Sequence, residues 1–340
     1  MTATPSFEIA RRQVGAGALP YVIAEIGNNH GGDVAAAKTL IDAAHGAGAD
    51  GLKLQIFRAA KFLARSSAYY ERFVGYELSR DDVAALMDHA RGIGAVLFAS
   101  VFDAESADIL EDCGAPAYKI ASGDVTHLPL LRHVAGFGKP IVLSTGGATL
   151  EEVETAVDTI RQARTDTPIA ILHCVSQYPA EPGEANLACM AGLRTRFACP
   201  TGYSDHTVGI ATCLAAAALG AEVIEKHFTL DKGLPGPDHK LSADPADMAA
   251  LVAGCRAAQA AVGRAEKAPV EPADFIPLIR RSLTAQVAIP AGTEITAEMI
   301  EIKRPGTGLP PAELDRVVGA RAARDIAEDE TLAWDMVETA

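Results

Sequence analysis

Eight short apolar runs, most of them rich in β-branched residues, punctuate the first two thirds of the chain. They are "YVIAEIG" (21–27), "GLKLQIF" (51–57), "AVLFASVF" (95–102), "AYKIAS" (117–122), "PIVLST" (140–145), "IAILHC" (169–174), "TGYSD" (201–205) and "EVIEKHF" (222–228). Runs of this length and composition predict strands, although the seventh is weak by itself. Between them lie Ala-rich segments with helical periodicity: "DVAAAKTLIDAAHGAG", "SRDDVAALMDHARGIG", "AESADILEDCG", "TLEEVETAVDTIRQA" and "GIATCLAAAALG". Several begin after Asp, Ser or Thr and stop at Gly, which is the cap chemistry of helices. Strand and helix alternating in this way predict an α/β fold of the (β/α)8 TIM-barrel type rather than an open sheet. No G-x-G-x-x-G follows the first run, which weakens a dinucleotide-binding alternative.

The pattern changes near residue 265. The helix "PADMAALVAGCRAAQAAVG" (245–263) closes the barrel domain, 1–265, and Pro269, Pro272 and Pro277 mark 266–280 as a linker. In 281–340 the segments "AIPAGTEITAEMI" and "DIAEDETLAWDMV" share one pattern. Aligning Ile289 with Ile326 also aligns Ile295 with Leu332, Met299 with Met336 and Ile300 with Val337. This predicts a small β-rich domain built on an internal pseudo-repeat.

Composition narrows the partners. The formal charge of −14 argues against nucleic acid or an anionic membrane as the main partner. It leaves room for a small anion bound by a local lysine cluster. The six cysteines form no C-x-x-C pair, so reduced thiols in a cytoplasmic protein are expected. No signal peptide or membrane span is evident.

Barrel enzymes carry their chemistry at the C-terminal ends of the strands. Those ends hold Glu25; Lys53 and Gln55; Ser100; Lys119, Ser122 and Asp124; Ser144; Ser176 and Tyr178; Ser204, Asp205 and His206; and Glu225 and His227. A lysine inside an apolar strand is costly unless it is paired or binds an anion. Lys53 and Lys119, flanked by Ser122, Ser144 and Ser204, make a phosphate or carboxylate pocket. Singly, each lysine reads equally well as a surface strand end paired with Asp or Glu. His206 and His227 end neighbouring strands, where two imidazoles plus water and substrate oxygens suit Mn²⁺, Co²⁺ or Mg²⁺. The alternative is a hydrogen-bonded loop histidine and a satisfied core histidine. Asp205 and Glu225 either support the histidines or merely flank them.

The stretches "IAEIGNNHGGD", "LKLQ", "YKIASGD", "KPIVLSTGGAT", "LHCVSQYP", "GYSDHTVGI", "EKHFTLD", "GPDHKLS" and "IKRPGTGLPP" together resemble the N-acetylneuraminate (sialic acid) synthases over nearly the full chain. The terminal domain resembles their antifreeze-like (SAF) module. The resemblance implies a transferase that condenses phosphoenolpyruvate with an N-acetylmannosamine-type sugar and releases phosphate. It assigns Lys53, Lys119, Ser122, Ser144 and Ser204 to phosphoenolpyruvate, His206 and His227 to a divalent metal with Mn²⁺ the first choice, and Asp124 to the catalytic carboxylate. Glu25, Gln55, Ser100, Ser176, Tyr178 and Asp238 face the substrates. Arg304 reaches the sugar's acyl group from the other subunit of a domain-swapped homodimer. Three departures stand out: Asp124 where bacterial members often have Glu, "SVF" (100–102) where a threonine hydroxyl is expected at Val101, and a short segment from Arg58 to Arg80. The same chemistry on a legionaminic or pseudaminic acid precursor is the near alternative. A 3-deoxy-ulosonate-phosphate synthase and a non-catalytic sugar- or anion-binding barrel are more remote.

Overall fold

The computed structural model describes residues 5–15 and 17–338. The chain forms two compact units, Met1–Gly263 and Arg264–Ala340. The first begins with a hairpin, β1 (Ser6–Ile9) and β2 (Arg12–Gly15). Its two-residue turn places Ala10 and Arg11 at φ 47° and 71°, the twist that tight hairpins favour. The hairpin buries Ile9 and Val14 against Tyr21, Phe98, Val142 and Val223, and so seals the N-terminal mouth of a barrel. Nothing in the apolar pattern announced it, because its strands alternate over only four residues each.

The barrel consists of β3 (Tyr21–Gly27), β4 (Gly51–Ile56), β5 (Leu97–Val101), β6 (Tyr118–Ile120), β7 (Ile141–Ser144), β8 (Ile169–Cys174), β9 (Thr201–Asp205) and β10 (Val223–His227). All eight are parallel, and β10 closes the ring by pairing with both β9 and β3. Each apolar run of the sequence is one of these strands. The weak seventh run forms because β10 approaches it closely. A Cβ on Gly202 would lie 2.0 Å from the Val223 carbonyl oxygen.

The helices start where their caps predict. Asp33 accepts from the amides of Ala35 and Ala36, and the pairs Ser79/Asp82 and Thr149/Glu152 form reciprocal capping boxes. Two helices, Leu128–Gly136 and Cys189–Phe197, were not evident from periodicity. The first carries Pro129 in its opening turn, and the second buries only Met190 and Phe197. Leu52, Leu54 and Ile56 alternate outward into the helix layer, which leaves their strand neighbours facing the lumen. Among the described residues, no helix is long and apolar enough to cross a membrane.

The second unit is built on its pseudo-repeat. Strands β11 (Ser282–Ala285) and β12 (Ile300–Lys303) pair Ala285 with Ile300. Strands β13 (Arg321–Ala322) and β14 (Val337–Glu338) pair Ala322 with Val337. Ile289 and Ile326 exchange both backbone hydrogen bonds, at 2.8 and 2.9 Å. The bond from Ile295 N to Ala320 O is mirrored by that from Leu332 N to Leu283 O. Each half therefore completes the other, and Leu283, Ile289, Ile295, Ile326 and Leu332 are buried between them.

Candidate active site

Strand alternation selects the lumen-facing residues. On β4 these are Lys53 and Gln55, and on β10 they are Glu225 and His227. Lys119, on β6, lies between Tyr118 and Ile120, which both join the outer core. These side chains surround a chamber of about 220 Å³ at the C-terminal mouth. Glu25, Ser100, Ser122, Ser144, Ser176, Tyr178, Ser204 and His206 also line its walls, whereas Asp124, Asp238 and Arg304 do not.

Charge in the chamber is paired. The Lys53 Nζ lies 2.6 Å from Glu25 Oε2 and donates to Ser100 Oγ at 2.8 Å. Glu225 stands between the lysines, with Oε2 3.8 Å from Lys53 and Oε1 3.6 Å from Lys119. Ser204 donates to Glu225 Oε1 at 3.0 Å, and Gln55 donates to Glu25 Oε1 at 2.9 Å. Burial raises the Glu25 carboxyl above its ordinary range despite Lys53. For Glu225, burial acts upward, but Lys119 and Lys53 together bring it below that range. Burial lowers the Lys119 ammonium, with Glu225 opposing. The Ser144 hydroxyl is buried without a partner.

Each lysine is thus paired with a carboxylate, but both are buried at the lumen rather than on the surface. The sequence suggests Glu225 only as a support or a flank of His227, not as the partner of the lysines. Its place two residues before that histidine, on the same strand face, was the signal that puts it in the lumen. Asp205 faces the opposite way and pairs with Lys226 rather than with His206. Val101 packs into the outer core, so no chamber hydroxyl is lost there. Ser100, one position earlier, supplies one.

His206 and His227 meet at the rim, with ring centroids 5.3 Å apart. Tyr178 lies against His206 at 4.1 Å and edge-on to His227 at 5.9 Å. His206 Nδ1 is 2.7 Å from the Val175 carbonyl oxygen, so that nitrogen carries the proton and Nε2 keeps its lone pair. His227 Nδ1 is buried without a hydrogen-bond partner, 3.8 Å from Asp238 Oδ2. Burial lowers both imidazoles, and His206 and the lysines lower His227 further. Two neutral nitrogen donors fit a divalent cation whose other ligands are oxygens. Among the described residues, no three His, Cys, Asp or Glu side chains form a closed ligand set.

A second chamber of about 430 Å³ shares Gln55, Tyr178 and His227 with the first. Asp238 lines it, together with Tyr69, Arg72, Phe73 and Tyr76 from the segment after β4. Those four lie in the Arg58–Arg80 segment that the sequence marks as short, but none stands out there individually. Phe57, Phe62, Phe73 and Phe102 stack beneath that segment and hold it to the barrel. Asp124 sits on the short turn Ser122–Asp124, buried, and is not part of the chamber wall. Its carboxyl is pushed up to about 6 by burial, with Lys119 opposing. Arg304 belongs to the second unit, where it is exposed just after β12.

A closed barrel with a lysine–carboxylate chamber and two imidazoles at its C-terminal mouth has the layout of an enzyme active site. The chain belongs to the NeuB family, whose sequence model matches residues 40–267, and a SAF domain follows at 280–338. It is 40% identical to an uncharacterized protein of Methanocaldococcus jannaschii, over 96% of this chain and 97% of that protein. It is 38% identical to the N,N'-diacetyllegionaminic acid synthase of Legionella pneumophila, over 94% of each. The crystal structure of N-acetylneuraminic acid (sialic acid) synthetase from Leptospira borgpetersenii matches with a TM-score of 0.76 and 32% identity, covering 80% of this chain and 94% of that one.

Proposed function

We propose that this protein condenses phosphoenolpyruvate with an open-chain N-acylated amino sugar, using one water and releasing inorganic phosphate. The carrying observation is the convergence of Lys53, Lys119 and five serine hydroxyls with two neutral imidazoles around one chamber. The lysines hold the phosphate and carboxylate of phosphoenolpyruvate, and the Ser100, Ser122, Ser144 and Ser204 hydroxyls supply directional hydrogen bonds. His206 and His227 would hold the divalent cation, with Mn²⁺ the first choice. When bound, it supplies Lewis acidity to an aldehyde oxygen.

Carbon three of phosphoenolpyruvate forms the new bond to the sugar aldehyde. Water adds at carbon two, and phosphate leaves by C–O cleavage. Glu25 and Glu225 keep the lysines extended across the lumen. Asp124 receives the water's proton through an intervening water, since its carboxyl lies behind the chamber wall. Arg304 contacts the sugar's acyl group from the partner subunit of a homodimer.

The second chamber favours one sugar class. It carries one guanidinium, Arg72, and one carboxylate, Asp238, beside the aromatic side chains of Tyr69, Phe73 and Tyr76. That balance suits an uncharged sugar with apolar substituents better than a sugar phosphate. A 2,4-diacetamido-6-deoxy sugar, the precursor class of legionaminic acid, is therefore the second reading beside N-acetylmannosamine. Phosphate release with both sugars and with N-acetylmannosamine 6-phosphate separates them. The uncharged sugars should turn over, and preference for the phosphorylated one would contradict this reading. His206→Ala should lose turnover while remaining folded.

A further inference from the structure

Asp205 and Lys226 form an ion pair that takes no part in the chamber. Both side chains are fully buried, with Nζ 2.8 Å from Oδ2. They occupy opposed positions of β9 and β10 and project into the helix layer, while their neighbours Ser204 and Glu225 face the lumen. Burying two charges is expensive, and a pair of well-packed apolar side chains would often serve the fold as well. The position of this pair suggests what it does. Asp205 immediately precedes His206, and Lys226 immediately precedes His227.

The hydrogen bonds around the pair lead to the same two histidines. Lys226 Nζ also donates to the carbonyl oxygen of Thr207. Asp205 Oδ1 accepts from the Thr207 amide at 3.0 Å, and Oδ2 accepts from the Thr207 hydroxyl at 3.2 Å and from Cys213 Sγ at 3.3 Å. The residues on both sides of His206 are thus tied to the residue before His227. The carbonyl of His206 itself accepts from Ala180 N at 3.0 Å, so the loop has little freedom left. We propose that the Asp205–Lys226 pair is a positioning device that fixes the spacing and direction of the two imidazoles. This rests on the reading of His206 and His227 as metal ligands. Asp205 and Lys226 are positioning residues: they touch neither substrate nor ion. Their effect passes through the backbone of Thr207 and of β10, as outer groups orient the donors of a metal site.

The test uses the double variant Asp205→Leu/Lys226→Met in the full-length protein, which removes both charges and leaves neither unpaired. Mn²⁺ affinity is read by electron paramagnetic resonance of the free ion, phosphoenolpyruvate binding by calorimetry without metal, and folding by thermal melting. The expected result is a cooperative melt, unchanged phosphoenolpyruvate binding and Mn²⁺ affinity reduced roughly 10- to 100-fold. Asp205→Glu, which keeps the charges but lengthens the anchor by one methylene, should also weaken Mn²⁺ and decides the matter if the double variant does not fold. A folded variant of either kind with wild-type Mn²⁺ affinity overturns the proposal. His206→Ala serves as the control. If it binds Mn²⁺ as the wild type does, the metal reading fails; if it loses Mn²⁺ while the double variant keeps it, only the positioning role fails.

Discussion

Glu225 is the residue on which the chamber's charge balance turns. With Lys53 and Lys119 both buried, removing its carboxylate leaves Lys119 without a carboxylate partner and Lys53 held by Glu25 alone. Breaking a buried pair in this way costs about 3–5 kcal/mol. Glu225→Gln should therefore lower the urea midpoint strongly, and added inorganic phosphate should recover more stability in the variant than in the wild type. Equal stability of the two proteins would contradict the charge accounting. Asp124 makes a pH prediction of opposite character. Its carboxyl is raised to about 6 in the fold against 3.8 as the ordinary value. The protonated form favours the fold below the ordinary value, and that contribution disappears as pH rises through about 6. Asp124→Asn should thus gain stability relative to the wild type by about 2–3 kcal/mol between pH 4 and pH 8. Urea titrations across that range check it, and a difference that stays constant with pH would contradict it. At this scale the sequence revealed most of the chamber, because residue type and strand alternation locate a lysine or histidine. It did not reveal Tyr69 or Arg72, whose place depends on how a loop folds back over the rim.

Among the elements, the turn after β7 is a tight joint of the lysine chamber. Gly146 N donates to Ser122 Oγ at 2.9 Å, and a Cβ on Gly146 would stand 2.3 Å from Ser176 Oγ and 3.0 Å from Ser122 Oγ. Gly146→Ala should displace those hydroxyls rather than unfold the barrel. Loss of one anion hydrogen bond predicts phosphoenolpyruvate binding weaker by about tenfold, with little change in Tm. Calorimetry and melting measured together would reveal the opposite pattern if the loop served only stability. The eight barrel strands were legible because each is a continuous apolar run flanked by cap or turn residues. The hairpin β1–β2 was not, since four-residue strands carry too little pattern. The helices Leu128–Gly136 and Cys189–Phe197 carry weak signals for their own reasons: Pro129, which a first helical turn tolerates, reads as a breaker in one, and the other buries only Met190 and Phe197.

For the whole molecule, the overall charge of −14 is compatible with the proposed anion site because the lysines that matter are inside the barrel. The second unit closes on itself through its two halves, as the matched isoleucines and methionines of the sequence foretold. Its part in catalysis is the proposed contact of Arg304 with the sugar in a partner subunit. Arg304→Ala should raise the sugar KM by about tenfold, the worth of one hydrogen bond to a charged group, and leave the phosphoenolpyruvate KM unchanged. Equal loss for both substrates, or full activity in a protein that sediments as a monomer, would contradict the trans contact. The central claim is the condensation itself. It is tested most directly by turnover of phosphoenolpyruvate labelled with ¹⁸O in the bridging C–O–P position, with Mn²⁺ and a 2,4-diacetamido-6-deoxy sugar or N-acetylmannosamine. The account predicts one nine-carbon keto acid per phosphate, with the label in the phosphate. Unlabelled phosphate, or phosphoenolpyruvate that binds but is never consumed with either sugar, would contradict it.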